Sequence, residues 1–244
     1  ATLGNHDFDF GVETLERALS GAGFPVISAN ILRPDSGMPF RRGAVILHRE
    51  VMDTEGGRRV LRIGVTGTVP PQVARWNSNA LSGRLVFVDA LAAARRAAAD
   101  LRARGADLVI VLAHSGLGED SDAIDPDPLG AENAAGAIAA LPEVDVVIAG
   151  HTHEVFPESC ACDIVPPRTP IIQPGAMGSH LGCIDLALVA LGSLGLLASL
   201  LALSPDAPRG RTWAVIGTIP FCLQTAVLAI SQGQSAPRGL HKRA

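Results

Sequence analysis

Tyrosine is absent from this chain and lysine is rare, and aromatic residues make up only 4% of it. Alanine and arginine are abundant in their place, a pattern that reads as genome base composition and not as function. The formal net charge is -4, so the chain lacks the basic footprint that a nucleic-acid backbone requires, and a nucleic-acid polymer is excluded as a partner. The basic cluster Arg238, His241, Lys242 and Arg243 reads as a solvated end. There is no basic, apolar, small-residue pattern at the start, so no signal peptide is read in this chain. Cysteine is scarce as well. Cys160 and Cys162 stand one residue apart, too close for the spacing of a zinc knuckle. A disulfide from that pair to Cys183 or Cys222 is one reading if the chain is exported, and isolated thiols are the other. Histidine, with seven residues, is where chemistry concentrates.

The apolar periodicity predicts α/β organisation. A helix is expected over 11–22, with Val12, Leu15, Leu19 and Ala22 on one face and Gly21 and Gly23 at its end. A short buried strand follows over 24–30. Strands over 43–50 and 59–66 form a hairpin around a turn at 53–57, and a Gly/Thr/Pro loop runs on to Pro71. Residues 89–104 form a helix that Asp89 caps. The apolar run 106–113 suits a parallel strand covered on both faces. A helix over 132–141 and a strand over 144–149 complete the pattern. The crossovers are right-handed, and ligands in such sheets bind beyond the carboxyl ends of strands. Residues 186–204 and 214–230 carry no charge and approach the length that spans a bilayer. A membrane contact through 186–230 is thus a possible reading, against that of a tail unrelated to the rest. The expected division is 1–188 for one partial domain and 189–244 for a hydrophobic tail.

Two short runs stand out: Gly4-Asn5-His6-Asp7-Phe8-Asp9 and Gly150-His151-Thr152-His153. His114 ends the apolar run between them. Asn5 offers a carbonyl oxygen, and His114, His151 and His153 offer imidazole nitrogens. That donor set suits Mn²⁺, Zn²⁺, Co²⁺ or Fe²⁺ better than Ca²⁺, which prefers more oxygens.

These motifs resemble the calcineurin-like metallophosphoesterases. The stretch Gly4-Asn5-His6-Asp7-Phe8-Asp9-Phe10-Gly11 resembles the 5'-nucleotidase branch. The runs His114-Ser-Gly-Leu-Gly118, Glu132-Asn-Ala-Ala135, Gly150-His-Thr-His-Glu-Val-Phe-Pro157, Pro174-Gly175 and Gly178-Ser-His-Leu-Gly182 are similar to bacterial 2',3'-cyclic-nucleotide 2'-phosphodiesterase/3'-nucleotidases. The likeness covers residues 1 to about 188. It implies a four-layer α/β/β/α sandwich, incomplete here, and hydrolysis of nucleotide phosphoesters with two divalent ions, Mn, Zn or Co. It implies that Asn5, His114 and His151 hold one ion and His153 its neighbour. His6 would act on the phosphoryl group, Asp9 would orient His6, and His180 would touch substrate. The family's Asp-x-His and Gly-Asp motifs would precede Gly4, so the second metal site is expected to be incomplete. The resemblance also implies a nucleotide substrate and a periplasmic setting. A 5'-nucleotidase or nucleotide diphosphatase of the same superfamily is the alternative enzyme, and a non-catalytic or membrane-associated fragment is the alternative class.

Overall fold

The computed structural model describes residues 1–53, 56–118, 127–157, 169–186 and 188. Residues 189–204 and the second uncharged stretch, 214–230, together with Cys160, Cys162 and Cys222, lie outside the described residues, and so does the tail expected over 189–244. Cys183 is an exposed free thiol. Among the described residues no helix is long and apolar enough to cross a membrane.

The chain builds a mixed six-stranded sheet, a second small sheet and flanking helices, the α/β arrangement expected for part of a metallophosphoesterase sandwich. The elements are β1 (Ile31–Leu32), β2 (Ala44–Met52), β3 (Arg58–Thr68), β4 (Val86–Phe87), β5 (Leu108–Ala113), β6 (Val146–Ala149), β7 (Val155–Phe156) and β8 (Ile171–Pro174). The helices are α1 (Val12–Leu19), α2 (Val73–Trp76), α3 (Ser78–Leu81), α4 (Ala90–Ala103) and α5 (Ala135–Ala139). A short 3₁₀ turn spans Asn5–Phe8.

The large sheet runs β2-β3-β5-β6-β8-β7, and β1 pairs with β4 in the small one. The pairs β3–β5, β5–β6 and β6–β8 are parallel, so three neighbouring strands deliver Thr68, Ala113 and Ala149 to the same edge. Side-chain alternation then sorts the core. Val109, Val111, Ala113, Val147 and Ala149 face α4 and α5. Leu108, Ile110, Leu112, Val146, Ile148 and Ile172 line the opposite face. Both sets are buried, which is why β5 and β6 read as continuous apolar runs. A third cluster gathers Leu3, Phe8, Val12, Leu15, Leu19, Val73, Leu81 and Phe87 around α1 and the small sheet. Phe8 and Phe87 meet there edge to face, 5.5 Å apart.

The hairpin, α4 and the strands over 106–113 and 144–149 stand where expected, and Asp89 Oδ1 caps α4 by accepting from the Ala92 amide at 2.6 Å. Three elements differ. The helix expected over 11–22 ends at Leu19, closed by Ser20 at its C-cap. The stretch 24–30 is not a continuous strand. It makes single bridges, Ile27 to Thr2 and to Arg42, because Pro25 lacks a donor and the next amides go to different segments, Ile27 to Ala1 O, Ser28 to Arg42 O and Ala29 to Gly67 O. The helix expected over 132–141 is only the five residues of α5. Its would-be first turn is drawn away, since the Ser115 hydroxyl donates to Glu132 O and the Gly116 amide donates to Asn133 Oδ1.

One pair ties β3 to the start of β5. Asp107 accepts from the Arg62 amide at 2.8 Å and from its guanidinium at 3.2 Å. Burial pushes its carboxyl up, but the hydrogen bonds and charge of Arg62 outweigh this and hold it below the ordinary 3.8. A depressed carboxyl pKa stabilises the fold above about pH 4, and that contribution fades as pH falls through the depressed value. Both side chains are partly exposed, so solvent screening keeps the effect small, and Asp107→Asn should cost about 0.5 kcal/mol at neutral pH. Thermal melts of the two proteins should differ at pH 7 and converge as the pH falls through the depressed carboxyl value.

Candidate metal and phosphoester site

The sheet edge at Thr68, Ala113 and Ala149 is where the sequence-predicted residues gather. His114 follows β5 directly, and its amide donates to Thr68 O at 2.9 Å, fixing it at the end of β3 as well. The 3₁₀ turn brings Asn5 to it. Asp7 closes that turn by accepting from the Gly4 amide at 2.7 Å. Gly4 is required by proximity: a Cβ there would stand 2.8 Å from His114 Cε1. Asn5 Oδ1 and His114 Nε2 lie 2.8 Å apart, across 109 residues of sequence.

His151 follows β6. Its ring centroid is 5.3 Å from that of His114, and its Nε2 lies 2.9 Å from Glu132 Oε1. The Trp76 indole stacks on it at 5.7 Å with the planes 23° apart. His153 is exposed, yet it sits near enough for its charge to act on His114. Burial drives the His114 pKa down to about 3, and the positive charges of His151, His6 and His153 add to this. His114 is therefore a neutral imidazole at physiological pH, the form that ligates metals.

His6 and Asp9 form a second group on the same turn. His6 Nδ1 lies 2.9 Å from Asp9 Oδ2, and Asn77 Nδ2 donates to Asp9 Oδ1 at 3.1 Å. His180 stands elsewhere. It is exposed, its Nδ1 is 2.9 Å from Ser179 Oγ, and the turn folds back over Gly175 at the end of β8. The structure thus brings Asn5, His114 and His151 together with His153 at their rim, and it pairs His6 with Asp9. No contact joins His180 to them.

The sequence alone points to no role for Glu132, Trp76 or Asn77. Glu132 carries a signal in opening the run Glu132-Asn-Ala-Ala135. Trp76 offered only the scarcity of tryptophan, and Asn77 offered none.

Among the described residues, no group of three or more His, Cys, Asp or Glu side chains is arranged to hold a metal ion. The donor set that does converge is two imidazoles and one carboxamide oxygen. It fits one first-row divalent ion in kind, because both nitrogens are borderline ligands and His114 is held neutral. His153 is exposed and does not complete a three-residue group with His114 and His151.

The model of the calcineurin-like phosphoesterases matches residues 1–155. The chain belongs to that family. It is 38% identical over 194 residues to a 2',3'-cyclic-nucleotide 2'-phosphodiesterase/3'-nucleotidase of Salmonella typhimurium, covering 76% of this chain and 29% of the relative. The trifunctional nucleotide phosphoesterase YfkN of Bacillus subtilis is 32% identical over 196 residues, covering 77% of this chain and 13% of that protein. A crystal structure of YfkN superposes with a TM-score of 0.62 at 31% identity, over 71% of this chain and 53% of that one. The chain therefore spans less than a third of the length of these curated relatives. Family membership is that of metal-dependent phosphoesterases, and it supports a nucleotide-hydrolase reaction at the level of the family.

Proposed function

We propose that this chain carries part of the catalytic site of a nucleotide phosphoesterase acting on 2',3'-cyclic nucleotides and 3'-nucleotides. The observation that carries this reading is the convergence of Asn5, His114 and His151 at one sheet edge, from three remote segments, beside the His6–Asp9 pair. The resemblance to the Salmonella and Bacillus phosphoesterases supports the substrate class. The same resemblance supports a periplasmic setting.

Asn5, His114 and His151 would hold one divalent ion, Mn, Zn or Co, with His153 toward a neighbour. Such ions supply Lewis acidity toward phosphate oxygens and a hydroxide nucleophile at neutral pH. The protein's own residues do the remainder. Glu132 at His151 Nε2 steadies that ring and competes for it. Asp9, bridged to Asn77, accepts the Nδ1–H of His6 and turns Nε2 toward the phosphoryl group. As the imidazolium, with both nitrogens protonated, His6 would donate its Nε2–H to a phosphoryl oxygen or to the leaving oxygen and be left as the neutral Nδ1–H imidazole. His180, on the turn after β8, is proposed to meet the substrate away from the metal.

The test, on the chain joined to the preceding segment that carries the family's Asp-x-His and Gly-Asp motifs, is formation of 3'-AMP from 2',3'-cyclic AMP and phosphate release from 3'-AMP, 5'-AMP and a nucleoside diphosphate, after chelation and reloading with Mn²⁺, Zn²⁺ or Co²⁺. The expected result is metal-dependent hydrolysis of the first two substrates above the others. Preference for 5'-AMP or the diphosphate would move the chain to the neighbouring nucleotidase activities. Hydrolysis of none, with every ion, would overturn the enzymatic reading.

A further inference from the structure

The loop from Gly150 to Glu154 holds His151 at φ 75° and His153 at φ 63°. Both are left-handed, a region that costs a side-chain-bearing residue energy unless its surroundings hold it there. Thr152 lies between them and is gripped on three sides. Its Oγ1 accepts from Gln173 Nε2 at 2.6 Å and donates to Glu154 Oε2 at 3.2 Å. The direction follows from chemistry, because a carboxylate only accepts, so the single hydroxyl proton goes to Glu154 and the carboxamide must donate. The methyl group of Thr152 rests on Gly116, where a Cβ would come within 2.5 Å of Thr152 Cγ2. The Thr152 amide donates to Gly150 O at 2.9 Å, and the Gly175 amide donates to Glu154 O at 2.9 Å.

Gln173 lies in β8 and is fully buried. A carboxamide in the interior of a strand is unfavourable without a hydrogen-bond partner. Its Nε2 finds its partner in the one threonine that separates the two left-handed histidines, while its Oε1 is buried without one. We infer that Gln173, through Thr152, locks the Gly150–Glu154 loop and sets the directions of His151 and His153. Gln173 and Thr152 are thus positioning residues for metal binding, an assignment that rests on the reading of those histidines as ligands.

The decisive comparison is Thr152→Val, which keeps the methyl and loses the hydroxyl, against Thr152→Ser, which keeps the hydroxyl. Gln173→Met removes the donor at nearly constant shape. Calorimetric titration with Mn²⁺ and with Zn²⁺ should show Thr152→Val and Gln173→Met weakened about 10–100-fold, the usual loss when a ligand's supporting partner is removed. Thr152→Ser should stay within about three-fold of the parent by the same measure. In metal-free protein, amide hydrogen exchange at Thr152 and Gly175 should quicken in Thr152→Val and not in Thr152→Ser. Unchanged exchange in Thr152→Val would overturn the lock, and so would equal loss in Thr152→Val and Thr152→Ser. A parent chain that binds neither ion, with the exchange contrast intact, would overturn the ligand reading and leave the loop lock standing. Thr152 is exposed, so its variants fold independently of the outcome at Gln173.

Discussion

In the chain joined to the segment that carries the family's Asp-x-His and Gly-Asp motifs, His6→Ala should keep its divalent ion and lose most phosphate release. His6 is proposed to act on the phosphoryl group and not on the metal, and it pairs with Asp9 at 2.9 Å, apart from the Asn5–His114 pair. Loss of a general acid or of a transition-state donor costs about 10²–10⁴-fold in rate. His151→Ala should behave differently and lose metal and activity together, because its ring faces His114 across the cleft. Asp9→Asn should keep metal and cost less than His6→Ala, since an amide at that position still leaves the imidazole in place. Measuring metal content beside phosphate release in the three variants decides it. The role given to His6 fails if His6→Ala strips the metal or leaves the rate intact.

A second large effect concerns the scaffold. Asn30 is fully buried and clamps three segments with one side chain. Its Nδ2 donates to Val69 O at 2.7 Å and to Val88 O at 3.0 Å, and its Oδ1 accepts from the Val69 amide at 3.1 Å. Asn30→Leu would leave those backbone groups buried without that partner. Each such group costs about 1–3 kcal/mol, so a loss of about 3 kcal/mol or more is expected, roughly 10 °C in melting temperature. Asn30→Asp keeps the shape but turns a donor into a carboxylate oxygen facing two carbonyls, and it should be no better than leucine at neutral pH. Denaturant titration of both variants checks this. A loss well under 1 kcal/mol in both would mean that water takes over the clamp. The effect should reach the site, since Val69 directly follows Thr68, whose carbonyl holds the His114 amide.

The strands β5 and β6 were legible because burial on both faces leaves an unbroken apolar run, and α4 was legible through its alanine-rich stretch and the Asp89 cap. The hairpin announced itself through Asp53 and the glycines after it, and Asp53 Oδ1 does accept from the Gly57 amide at 2.7 Å. What stayed hidden depends on contacts between distant residues. Helices α2 and α3 are four residues each, too short to carry a period. Local pattern over 24–30 suggests a strand, but the amides of Ile27, Ser28 and Ala29 go to different segments. The histidine motifs marked the site without showing that Glu132 would turn back onto His151, or that Trp76 would lie against it.

The distance along the chain between Asn5 and His114 has a kinetic consequence. Bringing those two side chains to 2.8 Å closes a loop of 109 residues. The entropy of such closure grows with the logarithm of loop length, and topologies rich in remote pairings fold slowly. Neighbouring parallel strands add crossovers of the same kind between Thr68, Ala113 and Ala149. The Asn5–His114 contact therefore carries a closure cost that no local contact in the site bears, and shortening the chain between them should speed refolding only weakly, because that cost rises with the logarithm of length.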